Sequence, residues 1–559
     1  MKNNRFLNKY FFTALLFTLA FGFLFEPHVL ARSLRIGLLR APLTLNYFQG
    51  TDTWSKRIIG LFHMPLYVRH PKTGEMLPWI AQSLPETSAD RKEVIVRLKK
   101  SLWHDGSQVT ADDICFTIDV IKKFKVPGFV EKWQMVKEVI PVDKTTVRFI
   151  LAYPSAVFFN RTLFCSFVQK KSWAPVIQSK LEGGRSSQSI LTGITPKNII
   201  SNGPFYIDKY DVPFYIVLKQ NHNFFGKGSS MAGLSLGPHL AAIVLKFYKT
   251  TEEALVALKK GKIDFLWWEV PDDRLPELKE TKGIKLFKTI RRGYDYLAFN
   301  LNKRPFNDKA FRQAVAYTVD REQLVSQALN GNGLPSISTV PACNRYWHNP
   351  NVWTPGKGLA RKARISKAKE ILEQAGYWWK RGKLMLPDGQ EVKTVYMLTT
   401  CAGCKPHRFQ AAVMIKRWCS DIGIPIELKM MNIEKILRNL RNGTFDTYLL
   451  GWSHLPEDPS YLETFFHSRE AKKGGKNYPR YRNPVFDKLC EKADTEMDVK
   501  KRREIIFRMQ DIIARDLPYI TLYSKNRVEA TRMEYFRGWV AQPGGIGNLW
   551  SFLNLRPIN

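Results

Sequence analysis

The chain is short of acidic residues. Its 559 residues hold 50 Asp and Glu against 86 Lys and Arg, a formal net charge of +36. The basic residues are dispersed rather than gathered in one block. That argues against a nucleic-acid-binding arm and for a mixed, solvated surface that also favours anionic lipid or anionic ligands. Beyond residue 31 no uncharged apolar stretch nears the roughly 20 residues that a membrane-spanning helix needs. No internal repeat or low-complexity tract occurs, which excludes solenoid and collagen-like chains. The Gly/Ser-rich stretches 183–189 and 226–236 read as surface loops. GxSxG, HExxH, GxxxxGK[ST] and GxGxxG are all missing, so the sequence carries none of the usual hydrolase, zinc-peptidase, P-loop or dinucleotide signatures. Gly226-Lys227-Gly228-Ser229-Ser230 has P-loop residue types in the wrong order.

What is present is globular. Hydrophobic residues make up 44% and charged residues 24%, with length for roughly three to four domain-sized units. Lys2, Arg5 and Lys9 precede an uncharged, mostly apolar run over residues 10–25, closed by Glu26, Pro27 and His28. Val29 and Ala31 supply small residues at the −3 and −1 positions. Residues 1–31 are therefore expected to be a cleavable signal peptide. The alternative is an uncleaved amino-terminal anchor, which the shortness of the run argues against. The first cysteine is Cys115, so no lipid-attachment site adjoins the cleavage point. An exported, periplasmic protein is expected.

Export makes disulfides the first expectation for the seven cysteines, with an odd one left over. Cys401-Ala402-Gly403-Cys404 has spacing suited to a structural disulfide, then to free thiols, then to a metal, and last to a redox pair. One CxxC without a second is a poor zinc signature. No cofactor and no metal site are expected.

Residues 394–452 carry the clearest pattern. Residues 394–400, 424–430 and 445–451 alternate or run apolar as strands. Between them Ala411, Met414, Ile415, Trp418 and Ile422 mark an amphipathic helix ended by Gly423. Asn432 caps a second helix carrying Ile433, Ile436, Leu437 and Leu440, stopped by Asn442-Gly443. Strand–helix–strand–helix–strand implies right-handed crossovers and a parallel sheet, and such sheets bind ligands beyond the carboxyl ends of their strands. The third strand ends at Gly451-Trp452-Ser453-His454-Leu455-Pro456-Glu457-Asp458-Pro459. That loop is the site candidate, with an ordinary surface loop as the competing reading. His454 there suits a hydrogen bond, acid–base chemistry or a metal, the first being commonest for a lone loop histidine. Elsewhere Thr110-Ala-Asp-Asp113 and Thr250-Thr-Glu-Glu253 read as helix-capping boxes. Residues 263–268 read as a strand. Trp267-Trp268 and Tyr377-Trp378-Trp379 could line a pocket, although core packing accounts for most aromatics.

These landmarks fall in a familiar order. Leu77-Pro78-Trp79-Ile80-Ala81-Gln82-Ser83, Leu102-Trp103-His104-Asp105-Gly106, Asn202-Gly203-Pro204-Phe205, Tyr296-Leu297-Ala298-Phe299-Asn300, Arg312-Gln313-Ala314-Val315-Ala316-Tyr317, Gly451-Trp452 with Asp458-Pro459, and Asn483-Pro484 are collinear over nearly the whole chain. In these the chain resembles the family 5 solute-binding proteins of ABC importers, which take dipeptides, oligopeptides or nickel. The resemblance implies a bilobal α/β periplasmic binding protein (class II, with an extra subdomain), two mixed or parallel-sheet lobes joined by a hinge. It places lobe I at 32–57, 200–290 and 526–559, its inserted subdomain at 58–199, and lobe II at 291–525. It implies a monomer that is not an enzyme, partnered by a small-molecule solute and by an inner-membrane ABC permease with its ATPase, without nucleic acid. Gly451, Trp452, Ser453, His454, Glu457 and Asp458 are the expected ligand contacts, with Thr51, Asp52, Thr53 and Trp54 from a loop that faces the cleft in relatives.

One departure stands out. Peptide-binding members hold the peptide ammonium on an Asp shortly after Gly-Trp, and here that position is Leu455. Either Glu457 or Asp458 takes over, or the solute has no free amino terminus. A non-peptide solute (an opine, sugar phosphate or metal chelate), an exported hydrolase and an envelope-binding basic protein are the alternatives.

Overall fold

The computed structural model describes residues 33–183, 191 and 199–558. The expected signal peptide, and residues 184–189 of the first Gly/Ser-rich stretch, lie outside them. Twelve strands form one sheet. They are β1 (Ser33–Leu38), β2 (Phe205–Asp211), β3 (Tyr215–Gln220), β4 (Ala242–Phe247), β5 (Phe265–Leu266), β6 (Ile284–Ile290), β7 (Asp295–Phe299), β8 (Gly333–Pro335), β9 (Val395–Thr399), β10 (Ile426–Met430), β11 (Thr447–Gly451) and β12 (Tyr519–Arg532). The order is β10-β9-β11-β7-β12-β5-β1-β4-β3-β2, with β6 and β8 also on β12.

β12 belongs to two half-sheets. Its start pairs antiparallel with β7 and β8, from Tyr519 to Lys525. Its end pairs antiparallel with β6 and β5, from Asn526 to Arg532. Nearly every residue of β12 is buried, as a strand covered on both faces requires. The chain also crosses between the halves at residues 291–294, which link β6 to β7. In the first half β1 lies parallel to β4 and β5. In the second β9 lies parallel to β10 and β11.

The half-sheet around β7 shows why its sequence forms strands. Leu297, Phe299, Met397, Leu449, Ile520 and Leu522 face one apolar core. Tyr296, Ala298, Leu398, Tyr448, Leu450 and Tyr519 face another on the opposite side. This period of two is the pleat itself. The strands and helices expected between 394 and 452 are all present, the helices as Pro406–Ser420 and Ile433–Asn442. Asn432 caps the second helix through Lys435 N, and Gly443 ends it at φ +74°, a conformation glycine adopts at no steric cost. The strand expected over 263–268 is shorter. Phe265 and Leu266 are its paired residues, flanked by the backbone bonds of Asp264 N to Arg35 O at 2.7 Å and Trp267 N to Gly37 O at 3.0 Å.

The region between β1 and β2 contributes a four-stranded antiparallel sheet made of Glu86–Thr87, Glu93–Arg97, Val136–Pro141 and Thr146–Leu151. The helix Ala111–Lys123 packs on it, opened by the Thr110–Asp113 capping box. This unit shares the core of the first half-sheet. Asn202-Gly203 fastens the two. Met64 N donates to Asn202 Oδ1 at 2.7 Å and Gly203 N to Phe62 O at 3.0 Å. A Cβ at position 203 would lie 2.7 Å from Phe62 Cα and 2.8 Å from Leu61 O. Gly203→Ala is therefore expected to destabilise the protein by about 1–3 kcal/mol through overpacking, read as a lower midpoint in urea. An unchanged midpoint would mean that this backbone contact yields without cost.

Candidate functional site

β11 ends at Gly451, which pairs with Asp295, the first residue of β7. β5 ends at Leu266 beside Ala530 of β12, and Val270 N donates to Val528 O at 2.8 Å farther on. The carboxyl ends of the parallel strands in both half-sheets thus point at the same crossing segments, and the gap expected between the lobes falls there, between two walls.

The first wall is the helix Thr53–Ile59 and the Trp267-Trp268-Glu269 turn. Asp52 caps the helix, accepting from Trp54 N and Ser55 N at 3.0 Å each and from the Ser55 hydroxyl. Burial raises its pKa, but the Ser55 hydroxyl and the N–H groups of Ser55, Trp54 and Leu43 hold it below the usual carboxylate range. Asp52 is thus occupied in building the wall. Thr51 and Thr53 are exposed. Trp54 is buried against Trp267 and Trp268, with both ring centroids at 5.7 Å. Arg57, one turn on, lies over the Trp54 and Trp267 rings at 5.1 and 5.7 Å.

The second wall is the 451–459 loop and the start of the Pro406–Ser420 helix. Trp452 N donates to Tyr294 O at 3.0 Å and Leu455 N to Arg292 O at 2.6 Å, which ties the loop to the crossing segment. Gly293 permits this approach, since a Cβ there would run into the Trp452 carbonyl. The Trp452 ring stacks on Phe465 at 4.1 Å. Beneath the loop Asp295 is buried and accepts from Arg408 Nε at 2.8 Å and Nη2 at 2.5 Å. The Cys401–Cys404 disulfide, with a Cα–Cα distance of 5.2 Å, sits at the mouth of this helix. Cys115, Cys165, Cys343, Cys419 and Cys490 are unbridged.

The candidate loop residues divide into two sets. Ser453 and His454 are exposed to the gap. The His454 pKa is pushed down to about 4, first by desolvation between the walls and then by the Arg292, Arg57 and Arg527 guanidinium groups. Leu455 turns inward, 3% exposed, into the apolar core. Glu457 is clasped by Arg69 at 3.2 Å and Arg292 at 2.8 Å. Asp458 is not a free cleft carboxylate. It is buried and bound to Arg502 at 2.6 and 3.1 Å. Burial alone would raise its pKa, but that guanidinium holds it below the usual carboxylate range. Of the two aromatic groups, Trp267-Trp268 lies at the gap. Tyr377-Trp378-Trp379 does not: Tyr377 bonds Asp308 at 2.8 Å and Trp379 bonds Ile422 O at 3.0 Å in the outer core.

Several residues at the gap had no sequence signal. Arg57, Arg292, Asp295, Arg527 and Glu529 belong to no motif that the sequence offers. Glu269 pairs with Arg291 and with Lys525 at 3.1 Å, and Lys525 also reaches Asp272 at 2.7 Å. Among the described residues no group of three or more His, Cys, Asp or Glu is placed to hold a metal.

A family model described as bacterial extracellular solute-binding proteins, family 5 middle region, matches residues 75–473. The oligopeptide-binding protein AppA of Bacillus subtilis is 28% identical over 497 residues, covering 88% of this chain and 86% of AppA. Its solved structure, in complex with a nonapeptide, superposes with a TM-score of 0.72 over 94% of this chain and 99% of that one. The dipeptide-binding protein of Escherichia coli is 23% identical, covering 86% of this chain and 88% of its own. A periplasmic oligopeptide-binding protein of Thermotoga maritima, 21% identical, gives a TM-score of 0.78 over 94% of this chain and 99% of that one.

Two outcomes follow from this geometry. Asp458→Ala strands the Arg502 charge in the interior and should cost about 3–5 kcal/mol of stability. A loss below about 1 kcal/mol in urea unfolding would contradict a structural pair. An NMR titration of the His454 ring should have its midpoint near pH 4 rather than 6.5. Because the folded value is depressed, acid protonates the unfolded chain first, so His454 lowers stability as pH falls from about 6.5 toward 4. A midpoint at 6.5 or above would contradict its placement among the three arginines.

Proposed function

The chain belongs to the bacterial extracellular solute-binding proteins of family 5, and from that premise we propose that it captures a peptide for an ABC importer. The peptide lies in the gap between the two half-sheets and passes unaltered to a membrane permease and its ATPase. The observation that carries this reading is the convergence of both sets of parallel-strand ends on one gap lined by Trp54, Trp268 and the Ser453-His454 turn. The near full-length likeness to AppA and to the E. coli dipeptide-binding protein supports a peptide as the solute.

The moving units are residues 32–57, 200–290 and 526–559 with the inserted 58–199, against 291–525. The contacts that join them outside the crossing strands are polar: Arg69 with Glu457, Ser155 with Asp494 at 2.8 Å, Glu269 with Arg291 and Lys525, and Asp272 with Lys525. Such groups exchange protein partners for water on opening, so each adds little net stability. Open and closed forms then differ by little, and a ligand that touches both walls shifts the population toward closure. The protein works as an exported monomer, delivered by residues 1–31. Among the described residues no helix is long and apolar enough to cross a membrane.

Purified protein held with a bound peptide at a hundredfold over its Kd should gain roughly 2.7 kcal/mol of stability, and its radius of gyration in solution scattering should fall. A broad peptide panel that changes neither melting nor scattering would refute the reading.

A further inference from the structure

The helix Ile433–Asn442 buries Ile436 and Leu440 and turns Lys435, Arg438 and Arg441 to solvent. Spaced three apart, these cations follow one side of the helix. The loop over residues 470–482 returns to the end of that helix and is fastened there. Gly474 N donates to Arg441 O at 3.1 Å, and Arg480 Nη2 donates to Arg441 O at 2.8 Å and to Leu440 O at 3.3 Å. Arg480 is buried in this role. Lys472, Lys473 and Lys476 of the same loop are exposed, so they carry the basic stripe past the helix end. Arg482 is exposed too, and its guanidinium donates to Ser468 O and Ala471 O.

The only carboxylates in these two segments are Glu434 and Glu470. None of the stripe's cations forms an ion pair with a described residue. Like charges gathered this way repel one another, and an external anion removes that cost. The side chains are long, flexible and solvated, which suits a field of mobile phosphates better than one fixed carboxylate. At the start of the helix Ile433 is 40% exposed, and Met430, two residues ahead of the Asn432 cap, is 56% exposed. Exposed apolar side chains beside a basic stripe are the pattern of a helix that lies on a bilayer surface.

We propose that this face, the Ile433–Asn442 helix with the 470–482 loop, docks on anionic phospholipid and concentrates the protein at a membrane surface. The proposal goes beyond solute capture and holds whatever the solute is. For a solute carrier the gain is proximity, since a protein held at the surface meets a membrane partner by a two-dimensional search. Each basic residue close to such a surface is worth about fivefold in partitioning at low salt.

The test is cosedimentation of the exported chain, residues 32–559, with lipid vesicles at low salt. Wild-type protein should bind vesicles of equal phosphatidylcholine and phosphatidylglycerol but not phosphatidylcholine alone, and added salt should release it. The triple variant Lys472→Gln, Lys473→Gln, Lys476→Gln should partition about 100-fold less. Lys100, Lys137 and Lys144 are exposed in the inserted region, and their joint replacement by Gln removes the same charge elsewhere. That control should bind as wild type does. All six changes fall on exposed side chains, and matching melting temperatures show that both variants are folded. No binding to the mixed vesicles, equal binding to both vesicle types, or equal losses in the two triple variants would overturn the proposal. Binding of soluble polyglutamate that depends on Lys472, Lys473 and Lys476, with none of vesicles, would assign the face to an acidic protein and overturn it as well.

Discussion

One strand shared by two half-sheets constrains everything else in this molecule. β12 is paired along its length from Tyr519 to Arg532, with one register shift opposite Asp295 and Tyr296, yet its neighbours change from β7 and β8 to β6 and β5. A ladder cannot be interrupted within buried surface without leaving polar groups unpaired. The two halves are thereby held edge to edge, with the second crossing at 291–294 alongside. Since β5 and β7 both run antiparallel to β12 from opposite ends, the parallel strands on either side deliver their carboxyl ends to a single line. The gap is where it is for that reason.

The polar chemistry along this line sorts by burial. Deep pairs such as Asp458 with Arg502 and Asp295 with Arg408 are fully matched and fix the loop and helix that form one wall. Removing a partner from such a pair is costly because a charge is left in a low-dielectric interior, even where the intact pair adds little net stability. Toward the surface the matching becomes incomplete, and the surplus is positive. The overall charge of +36 is mostly a dispersed surface property, but along the Ile433–Asn442 helix and the 470–482 loop the same bias gathers into one face.

Legibility in the sequence followed locality. The helices at Ala111–Lys123, Thr251–Lys259 and Ile433–Asn442 were readable because a cap, a periodic face and a stop lie within one short window. The place of the 451–459 loop at the carboxyl ends of parallel strands was readable because strand–helix–strand order fixes which strand ends face outward. Within that loop the roles of individual residues were not readable. Glu457 and Asp458 are adjacent and chemically alike, but successive residues turn to different surroundings, one to Arg69 and Arg292 and the other to Arg502, which is 44 residues away. Leu455, where the family resemblance led to an acid being expected, fills an apolar core, so its side chain offers a ligand nothing.

The sequence by itself determined the α/β class, the parallel unit between 394 and 452, the family likeness and the loop that borders the gap, because hydrophobic period, capping and turn residues act over a few positions along the chain. Only the tertiary structure decided which charges are matched and which stand together unpaired. That Arg441 and Lys473 share one face depends on the 470–482 loop returning to the end of an earlier helix, and electrostatic partnership is set by distance in space and by burial, neither of which is written in neighbouring letters.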